Sequence, residues 1–446
     1  MKKRKKGKER SHQTLIIPLA FFLIISASTR GQNPVCPPGV YIADPSARVW
    51  DNMLYIYGST DQDCDYYCSW HHDIMYTSDL VKWSIAERVF ASKGENDEVR
   101  YNDNLLFAPD CMKSGGQYYL FYCQPGRQAE GLAVADNPLG PFTGGREINT
   151  GAHKQIDPAV FVDDDGSAYY LWGQFTLKLA KLRENMTELD LSSVRDSVLT
   201  EDKHYFHEGA YMTKRNGIYY IVYADISREE RPTCIGYATS KNVWGPYSYQ
   251  GVIIDNAGCN PGNWNNHGSI AEFNKQWYVF YHRSSHGCNK MRKTCVEKIF
   301  FDKNGLIPEV EMTSQGAGPP LNAFSEIDAA RACLLHGNVR IVAEGGSNEI
   351  LESFHNNDAA IFKYLDFGKE ATKISLRIKV NKKSRLVLSA GKPWSKRLLD
   401  LELDSTDNKW EVLELEINKI SGIHSLWIQS YGEGAGLFDI DWLRFY

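Results

Sequence analysis

The sequence has no excess of positive charge. Its 446 residues include 50 Lys and Arg against 55 Asp and Glu, which gives a formal net charge of −5. Residues 1–31 hold eight of the basic residues and one acidic residue, so without their charge of +7 the rest of the chain stands at −12. Nucleic acids are bound mainly through basic surfaces. The composition therefore argues against a nucleic-acid partner, and a neutral ligand is easier to accommodate.

Long apolar runs are scarce as well. The prominent one, LIIPLAFFLIISAS at 15–28, follows a strongly basic segment and precedes the polar STRGQ. This order is typical of a secretory signal peptide, and the run is shorter than the roughly 20 residues of a membrane span. We therefore predict a signal peptide over 1–31, export to the periplasm or the medium, and no membrane association after its removal. An uncleaved anchor is the alternative; no lipobox precedes Cys36, so we expect no lipid anchor.

The C-x2-C spacing of structural zinc sites is missing from the stretch richest in Cys and His. That stretch, CDYYCSWHH at 64–72, places three residues between Cys64 and Cys68 and ends on His71 and His72. We interpret it as a rim loop with a disulfide or free thiols, and a metal site is the alternative. The ten cysteines of an exported chain permit disulfides, but their pairing does not follow from the sequence.

The sequence does contain an internal repeat. Each of five segments has a polar or small residue, then a short strand, a turn and a Tyr-rich strand. The segments lie at 44–59, 108–123, 157–173, 208–224 and 267–283. Their turns are predicted at Asp51-Asn52, Gly115-Gly116, Asp164-Asp165-Gly166, Asn216-Gly217 and Asn274-Lys275. Five repeats, each the size of four strands, predict an all-β fold with a five-bladed β-propeller.

The chain changes character in a Gly- and Pro-containing stretch at 312–325. Seven strand-like runs follow without the hairpin repeat, and many of them alternate apolar and polar residues, as antiparallel strands with one wet face do. The runs are AIFKYLDFG, TKISLRIKV, RLVLSAG, LDLELDS, WEVLELEI, HSLWIQSYG and FDIDWLRFY. We predict a propeller over 32–315, a linker over 316–325 and a β-sandwich of jelly-roll type over 326–446.

The residues that open the five repeats converge in a propeller, because the innermost strand of every blade starts near the central axis. They are Asp44, Ala108 (with Asp110 two positions later), Asp157, Glu208 and His267. Carboxylates that converge raise one another's pKa. Glycoside hydrolysis uses such a set, since one acid protonates the leaving oxygen and one carboxylate activates water. The alternative is that Asp-Pro and Glu-Gly only form turns at the strand entries.

Five motifs that contain these residues, and a sixth that follows His267, resemble glycoside hydrolase family 43, whose members are five-bladed propellers. The motifs are YIADPS around Asp44, FAPD at 107–110, QIDPAVFVDDDG around Asp157, HEGAYMTKRNGIYYIVY around Glu208, NHGS at 266–269 and WYVFYHR at 277–283. The resemblance implies an inverting glycosidase in which Asp44 is the general base and Glu208 the general acid. Asp157 would orient Glu208 and tune its pKa.

The resemblance also implies residues around the sugar. His267 would meet a structural calcium ion or a water molecule in the axial channel, while the chemistry itself requires no cofactor; a hydrogen-bonded His near the axis is the alternative. Arg283 would reach a sugar hydroxyl, with a surface ion pair as the alternative. Phe107, where the family more commonly has Trp, would form an apolar wall. Trp70 and Trp264 would stack on sugar rings, with packing as the alternative.

The C-terminal part resembles carbohydrate-binding module family 6 in its closing segment GLFDIDWLRFY, and FKYLDFG (362–368) and WEVLEL (410–415) fit the same pattern. Asp439 stands where that family often has Asn. Trp394 and Trp427 would be the sugar platforms. The alternative is a purely structural domain that packs on the propeller.

We therefore predict an exo-acting, inverting glycoside hydrolase that releases terminal α-L-arabinofuranose from plant polysaccharides or oligosaccharides. β-D-Xylose is the second choice of sugar, and endo-arabinanase and galactosidase activities are further alternatives within the family. Two rivals are a retaining fructan- or sucrose-cleaving hydrolase on a similar propeller and a non-catalytic glycan-binding protein. The presence of Asp44, Asp157 and Glu208 speaks against the latter. The sequence indicates no oligomeric state.

Overall fold

The computed structural model describes residues 31–126 and 130–446, so the predicted signal peptide, apart from Gly31, lies outside the described residues. Regular structure in these two ranges is almost entirely β-strand. The strands are accompanied there by one four-residue helix, α1 (Glu201–His204), and by short 3-10 turns at Leu191–Ser193, Ala257–Cys259 and Ala329–Arg331. None of the helices in the described ranges is long and apolar enough to cross a membrane.

Five antiparallel sheets follow one another along residues 42–299. The first contains β1 (Ile42–Trp50), β2 (Met53–Thr60), β3 (His71–Thr77) and β4 (Ser84–Ala91). The second contains β5 (Phe107–Ser114), β6 (Gln117–Cys123), β7 (Gly131–Ala135) and β8 (Thr143–Glu147). The third contains β9 (Ala159–Val162), β10 (Ala168–Trp172) and β11 (Lys178–Lys181). The fourth contains β12 (Phe206–Arg215), β13 (Ile218–Asp225), β14 (Cys234–Ser240) and β15 (Ser248–Asp255), and the fifth β16 (Ser269–Phe273), β17 (Gln276–Ser285) and β18 (Met291–Ile299).

The five sheets form a closed ring. The first strand of each sheet packs against the first strand of the next, in the order β1, β5, β9, β12, β16 and back to β1. Five apolar clusters fill the gaps between neighbouring sheets, and the last of them joins the fifth sheet to the first, for example through Phe280 and Ile56. Because both faces of each sheet are covered, the inner strands are rich in Tyr, Ile and Val. The predicted five-bladed propeller is confirmed.

The hairpin turns lie where the repeat predicts them, with left-handed φ angles at pairs such as Asp51-Asn52 and Asn274-Lys275. The blades differ from the expected four strands in two cases, because the third and fifth have three each. In the fifth blade the outer strand β18 is flanked by the start of the described chain. The backbone N–H of Val35 donates to the Thr294 carbonyl at 2.9 Å, and the Asn33 side chain accepts from the Val296 N–H at 2.8 Å.

Two further sheets, of six strands each, occupy residues 321–445. One contains β19 (Leu321–Asn322), β21 (Leu334–His336), β24 (Ala359–Asp366), β26 (Ser384–Ala390), β27 (Lys396–Leu403) and β29 (Ile423–Gly432). The other contains β20 (Ile327–Asp328), β22 (Arg340–Ala343), β23 (Glu349–Glu352), β25 (Ala371–Val380), β28 (Trp410–Ile420) and β30 (Phe438–Phe445). They share one apolar core, which includes Phe362, Leu376 and Ile440. All seven strand-like runs of the sequence coincide with strands of this β-sandwich.

Buried polar contacts join the sandwich to the fifth blade. Lys293 in β18 pairs with Glu349 in β23 at 2.5 Å, and both side chains are more than nine-tenths buried. The Tyr41 hydroxyl donates to the same carboxylate at 2.7 Å. The connecting stretch is buried as well, since Thr313 and Ser314 are less than a tenth exposed and the Ser314 N–H donates to the Lys363 carbonyl at 2.6 Å.

A disulfide joins Cys64, in the connection between β2 and β3, to Cys288, in the turn between β17 and β18. It links the first blade to the fifth across 224 residues of sequence. Cys68 is a buried free thiol. Residues 64–70 of CDYYCSWHH are therefore a loop tied by a disulfide, and His71 and His72 begin β3. The disulfide occupies the Cys64 sulfur that a zinc site in this stretch would use.

Candidate active site

A cavity of about 240 Å³ opens where the innermost strands begin. All five blades contribute to its wall. The lining residues are Asp44, Tyr67, Cys68, Phe107, Ala108, Ile156, Asp157, Gln174, His207, Glu208, Trp264, Asn265, His267 and Arg292. The structure therefore brings together the five residues that open the sequence repeats. Asp110 lies deeper along the axis, where it pairs with Arg48 and accepts a hydrogen bond from Ser46.

A recurring bulge aims these side chains at the cavity. The registers of β1, β5 and β12 each shift where the strand leaves the cavity, and a bulge of this kind redirects a side chain. The residue at the entry of the inner strand has a left-handed φ in four blades: Asp44 (52°), Ala108 (30°), Asp157 (61°) and Gly209 (66°). The equivalent of Asp44 in the fourth blade is thus Gly209. Glu208 lies one position earlier, which corrects the alignment of the repeats.

Asp44 is held as a carboxylate. Its Oδ1 accepts a hydrogen bond from Arg292 Nη1 at 2.8 Å, and its Oδ2 accepts one from the Ser59 hydroxyl at 2.6 Å. Burial alone would raise its pKa, but the Arg292 guanidinium, with help from His282 and His267, lowers the pKa well below its usual range. A buried carboxylate that stays ionised is suited to accept a proton from water.

Asp157 has the opposite electrostatic environment. Burial is the largest cause that raises its pKa, and the nearby charges of Glu208 and Asp44 raise it further, so that the pKa lies well above its usual range. Its backbone N–H points at the sulfur of Cys123, 3.3 Å away. The site thus contains two buried aspartates with divergent pKa values, as enzymes that use one charged and one protonated carboxyl group do.

Glu208 lies nearer to solvent than the two aspartates. Asp44 and Asp157 are each 6% exposed, whereas Glu208 is partly exposed. The side-chain amide of Gln174 donates to Glu208 Oε2 at 2.8 Å, and the Gln174 backbone N–H donates to Gln155 at 2.9 Å. The amide contact occupies Oε2 as an acceptor, which leaves Oε1 as the oxygen able to carry a transferable proton.

His267 is enclosed by the carboxylates. Its Nδ1 lies 3.8 Å from Asp44 Oδ1 and 4.0 Å from Asp157 Oδ2. Burial lowers the pKa of His267, although Asp44 and Glu208 act in the other direction. Calcium takes six to eight oxygen ligands, yet one neighbouring oxygen already pairs with Arg292. No group of three His, Cys, Asp or Glu side chains arranged to hold a metal ion occurs in the described residues, and the calcium ion or water molecule expected at His267 stays a prediction.

Gly209 makes room for the His267 ring. A Cβ on Gly209 would lie 2.7 Å from His267 Cγ, and its φ of 66° is left-handed. We predict that Gly209→Ala displaces the ring and lowers kcat/KM by about 10- to 100-fold, because small misplacements of catalytic groups have such effects. The matched control is Gly217→Ala, which has a φ of 75° but no atom within 4 Å of the added Cβ. Steady-state kinetics and thermal melts of both variants test this; equal activities would refute it.

Two of the four expected sugar contacts line the cavity, Phe107 and Trp264. Trp70 does not, and its indole N–H donates to the Asp103 carbonyl at 2.9 Å. The expectation for Arg283 is wrong. Its side chain is buried and donates to the carbonyls of Ala330 and Ala332 in the sandwich, because β17 directs it towards the second domain and away from the cavity.

No local feature of the sequence points to Arg292, which is the main partner of Asp44. It lies 248 residues away in β18, where MRKTCVEKI reads as an ordinary strand. Asp61 fixes it with two side-chain contacts of 2.9 Å, and the Tyr67 ring lies 5.1 Å from its guanidinium carbon. Gln174 was also missed, since it lies in a loop that carries no catalytic motif.

Comparison with known proteins gives a consistent result. The model of the family described as "Glycosyl hydrolases family 43" matches residues 32–307. A xylosidase/arabinosidase from Thermoclostridium stercorarium is 29% identical over 473 aligned residues, which cover 90% of this chain and 96% of that protein. A xylosidase/arabinosidase from Humicola insolens is 31% identical and covers 60% of this chain and 96% of its own length.

Solved structures resemble both parts of the chain. A β-xylosidase/α-arabinofuranosidase from a compost microbial metagenome, in complex with xylotriose, matches with a TM-score of 0.55 and 26% identity, over 64% of this chain and 99% of the other. An arabinoxylan arabinofuranohydrolase from Bacillus subtilis, in complex with cellotetraose, has a TM-score of 0.55 at 23% identity and covers 94% of this chain and 99% of its own. The latter likeness concerns the fold alone.

Proposed function

This chain belongs to family 43 of the glycosyl hydrolases, and on that basis we propose that it is an exo-acting, inverting enzyme that releases terminal α-L-arabinofuranose. The substrates would be plant polysaccharides or their oligosaccharides, with β-D-xylose as the second choice of sugar. Relatives named xylosidase/arabinosidase and arabinoxylan arabinofuranohydrolase support these two sugars. The observation that carries the proposal is the single cavity in which an ionised Asp44 faces Asp157 and Glu208.

The proposed chemistry is a direct displacement by water. Asp44 accepts a proton from a water molecule, whose oxygen attacks the anomeric carbon while the bond to the leaving oxygen breaks. Glu208 donates its proton to that oxygen. Inverting enzymes keep the two carboxyl groups ~6.5–9.5 Å apart to make room for the water. Asp157, with its raised pKa, adds no full negative charge beside Glu208 and orients it.

The depth of the groups favours exo action. The base and Asp157 lie on the buried floor, and the acid lies closer to the mouth, so a terminal sugar enters first and the rest of the substrate stays outside. The wall formed by Tyr67 belongs to the loop that the Cys64–Cys288 disulfide ties. A closed end of this kind favours a pocket over an open groove.

A substrate panel with product analysis tests the proposal. We expect hydrolysis of nitrophenyl α-L-arabinofuranoside first, nitrophenyl β-D-xyloside second and the galactoside least. Proton NMR of the first product formed should show inverted anomeric configuration. A retained configuration would favour the rival retaining hydrolase, and binding of arabino- or xylo-oligosaccharides without any hydrolysis would favour a glycan-binding protein.

The domain boundaries, the export of the chain and the role of the C-terminal module are part of the same proposal. We propose a propeller domain over 32–315, a linker over 316–325, a module resembling carbohydrate-binding family 6 over 326–446, and export after removal of residues 1–31. Trp394 supports sugar binding by the module, since it is 79% exposed. Trp427 fits a platform less well, because its indole N–H is engaged by the Gly391 carbonyl at 3.0 Å. The buried contacts through Arg283 and Lys293 support a structural role.

A further inference from the structure

Phe175 is an apolar residue in a position that the fold alone does not favour. It lies between β10 and β11, half of its surface (50%) is exposed, and its φ of 65° is left-handed. A bulky side chain rarely adopts this conformation, and such strain collects at functional sites. The surrounding backbone enforces it: the Phe175 N–H donates to the His207 carbonyl at 2.6 Å, and the Phe175 carbonyl accepts from the Glu201 N–H at 3.3 Å.

The position of Phe175 connects it to the proposed acid. The preceding residue, Gln174, holds Glu208 Oε2. The Phe175 ring packs edge-on against His207, with 5.2 Å between ring centroids and 81° between planes. His207 lines the cavity and is fixed by Glu201, whose carboxylate lies 2.8 Å from its Nδ1. Phe175 and His207 thus extend the cavity wall outwards on the side of Glu208.

The position of the general acid indicates a function for this wall. A general acid must contact the oxygen that leaves, so the leaving group lies beside Glu208, on the solvent side of the cavity. Arg292 instead contacts Asp44 at 2.8 Å, and the Tyr67 ring lies 5.1 Å from its guanidinium carbon. A sugar that leaves past Glu208 therefore meets the exposed face of Phe175, and aromatic faces are good platforms for the C–H faces of sugars.

We propose that Phe175, supported by His207, forms the binding site for the leaving-group sugar, that is, the sugar residue to which the released terminal sugar was attached. This site rests on the proposed function, because it assumes that Glu208 is the acid. It takes a neutral pentose or hexose ring of an oligosaccharide or polysaccharide. The strained backbone of Phe175 is retained because it presents the ring to that sugar.

The test compares two substrates that share the released sugar. One is an oligosaccharide with a sugar leaving group, and the other is the matching glycosyl fluoride, which has one leaving atom and cannot reach Phe175. Phe175→Ala should lower kcat/KM for the oligosaccharide by about tenfold, mainly through KM, as expected for the loss of one ring contact. For the fluoride, the kcat/KM of Phe175→Ala should stay within about twofold of the wild-type value, because the fluoride makes no contact with Phe175. Phe175→Trp should restore oligosaccharide hydrolysis.

Two control variants separate binding from stability. Phe300→Ala removes a similarly exposed ring (63%) at the end of β18 and should change neither substrate. Phe175→Gly suits the left-handed backbone, so it should melt no lower than Phe175→Ala and still lose the oligosaccharide preference. Equal losses on both substrates, or no loss on either, would overturn the subsite while leaving the proposed function intact. If the wild type cleaved neither substrate, the proposed function would fail and the subsite with it.

Discussion

Glu208→Gln is expected to lower the hydrolysis of oligosaccharides by ~10²–10⁴-fold, the usual contribution of a general acid. The exchange is nearly isosteric, and the new amide oxygen can still accept the hydrogen bond from Gln174, which donates at 2.8 Å in the native site. What is lost is the proton for the leaving oxygen. The affinity for the product sugar, measured by calorimetry, should therefore stay nearly unchanged.

The leaving group provides an internal check on that variant. Nitrophenolate leaves without much help from an acid, so nitrophenyl glycosides should lose less activity than oligosaccharides with the same terminal sugar. Glu188→Gln is the matched control, since this glutamate is 65% exposed in its side chain and lies outside the cavity. Unchanged turnover in Glu208→Gln, or equal losses for both leaving groups, would show that Glu208 is not the acid.

Arg292→Met is expected to have the second large effect. The guanidinium lies between two buried carboxylates, Asp44 and Asp61, and pairs with both. Its removal takes the guanidinium from Asp61 and leaves Asp44 with only His282 and His267, and breaking a buried pair from one side costs about 3–5 kcal/mol. Activity at neutral pH should fall by about 100-fold or more, because the base is no longer held ionised and in place.

The pH profile shows whether the charge on Asp44 is the cause. In the native protein Arg292 lowers the pKa of Asp44, so this carboxylate stabilises the fold above its unfolded pKa of about 3.9 and loses that effect only as the pH falls through the low folded value. Without Arg292 the pKa of Asp44 should rise, because burial is then opposed only by His282 and His267. The variant should then lose activity as the pH falls through that raised value, and its Tm deficit should shrink towards acidic pH.

Two companion variants keep this test decisive. Arg292→Lys retains a positive charge and should recover part of the activity. The double variant Arg292→Met/Asp61→Asn also removes the charge of Asp61, one of the two buried carboxylates that lose the guanidinium. It should therefore fold better than Arg292→Met and still show the altered pH profile. An acid limb that matches the wild type in the folded variants would refute the proposed link between Arg292 and the ionisation of Asp44.

The sequence predicts those features that depend on residues close together in the chain. The Tyr-rich hairpins and their turns predict the five blades, and Asp44-Pro45 and Asp157-Pro158 mark two strand entries whose left-handed aspartates line the cavity. The fourth blade shows the limit of this reasoning. Its bulge falls on Gly209, so Glu208 is displaced by one residue from the position that the repeat suggested.

Long-range contacts could not be predicted in this way. Arg292 and Asp44 are 248 residues apart, and nothing in the strand around Arg292 distinguishes it from a surface residue. Arg283 was misplaced for the same reason, because its partners at Ala330 and Ala332 belong to a domain whose docking site is not encoded near the YHR motif. Such contacts depend on how whole sheets pack against one another. The apolar–polar periodicity within one strand carries no information about that packing.

The contacts between the fifth blade and the sandwich limit how this enzyme can be shortened. A recombinant chain that ended before residue 321 would keep Arg283 and Lys293. It would lose the carbonyls of Ala330 and Ala332, which accept hydrogen bonds from Arg283. It would also lose the Glu349 carboxylate, which pairs with Lys293. Two buried cations would then face solvent, Arg283 in β17 and Lys293 in β18, the strand that also carries Arg292. Truncation, domain exchange and fusion at this boundary therefore require compensating substitutions at both cations, and a minimal catalytic unit of this enzyme includes its second domain.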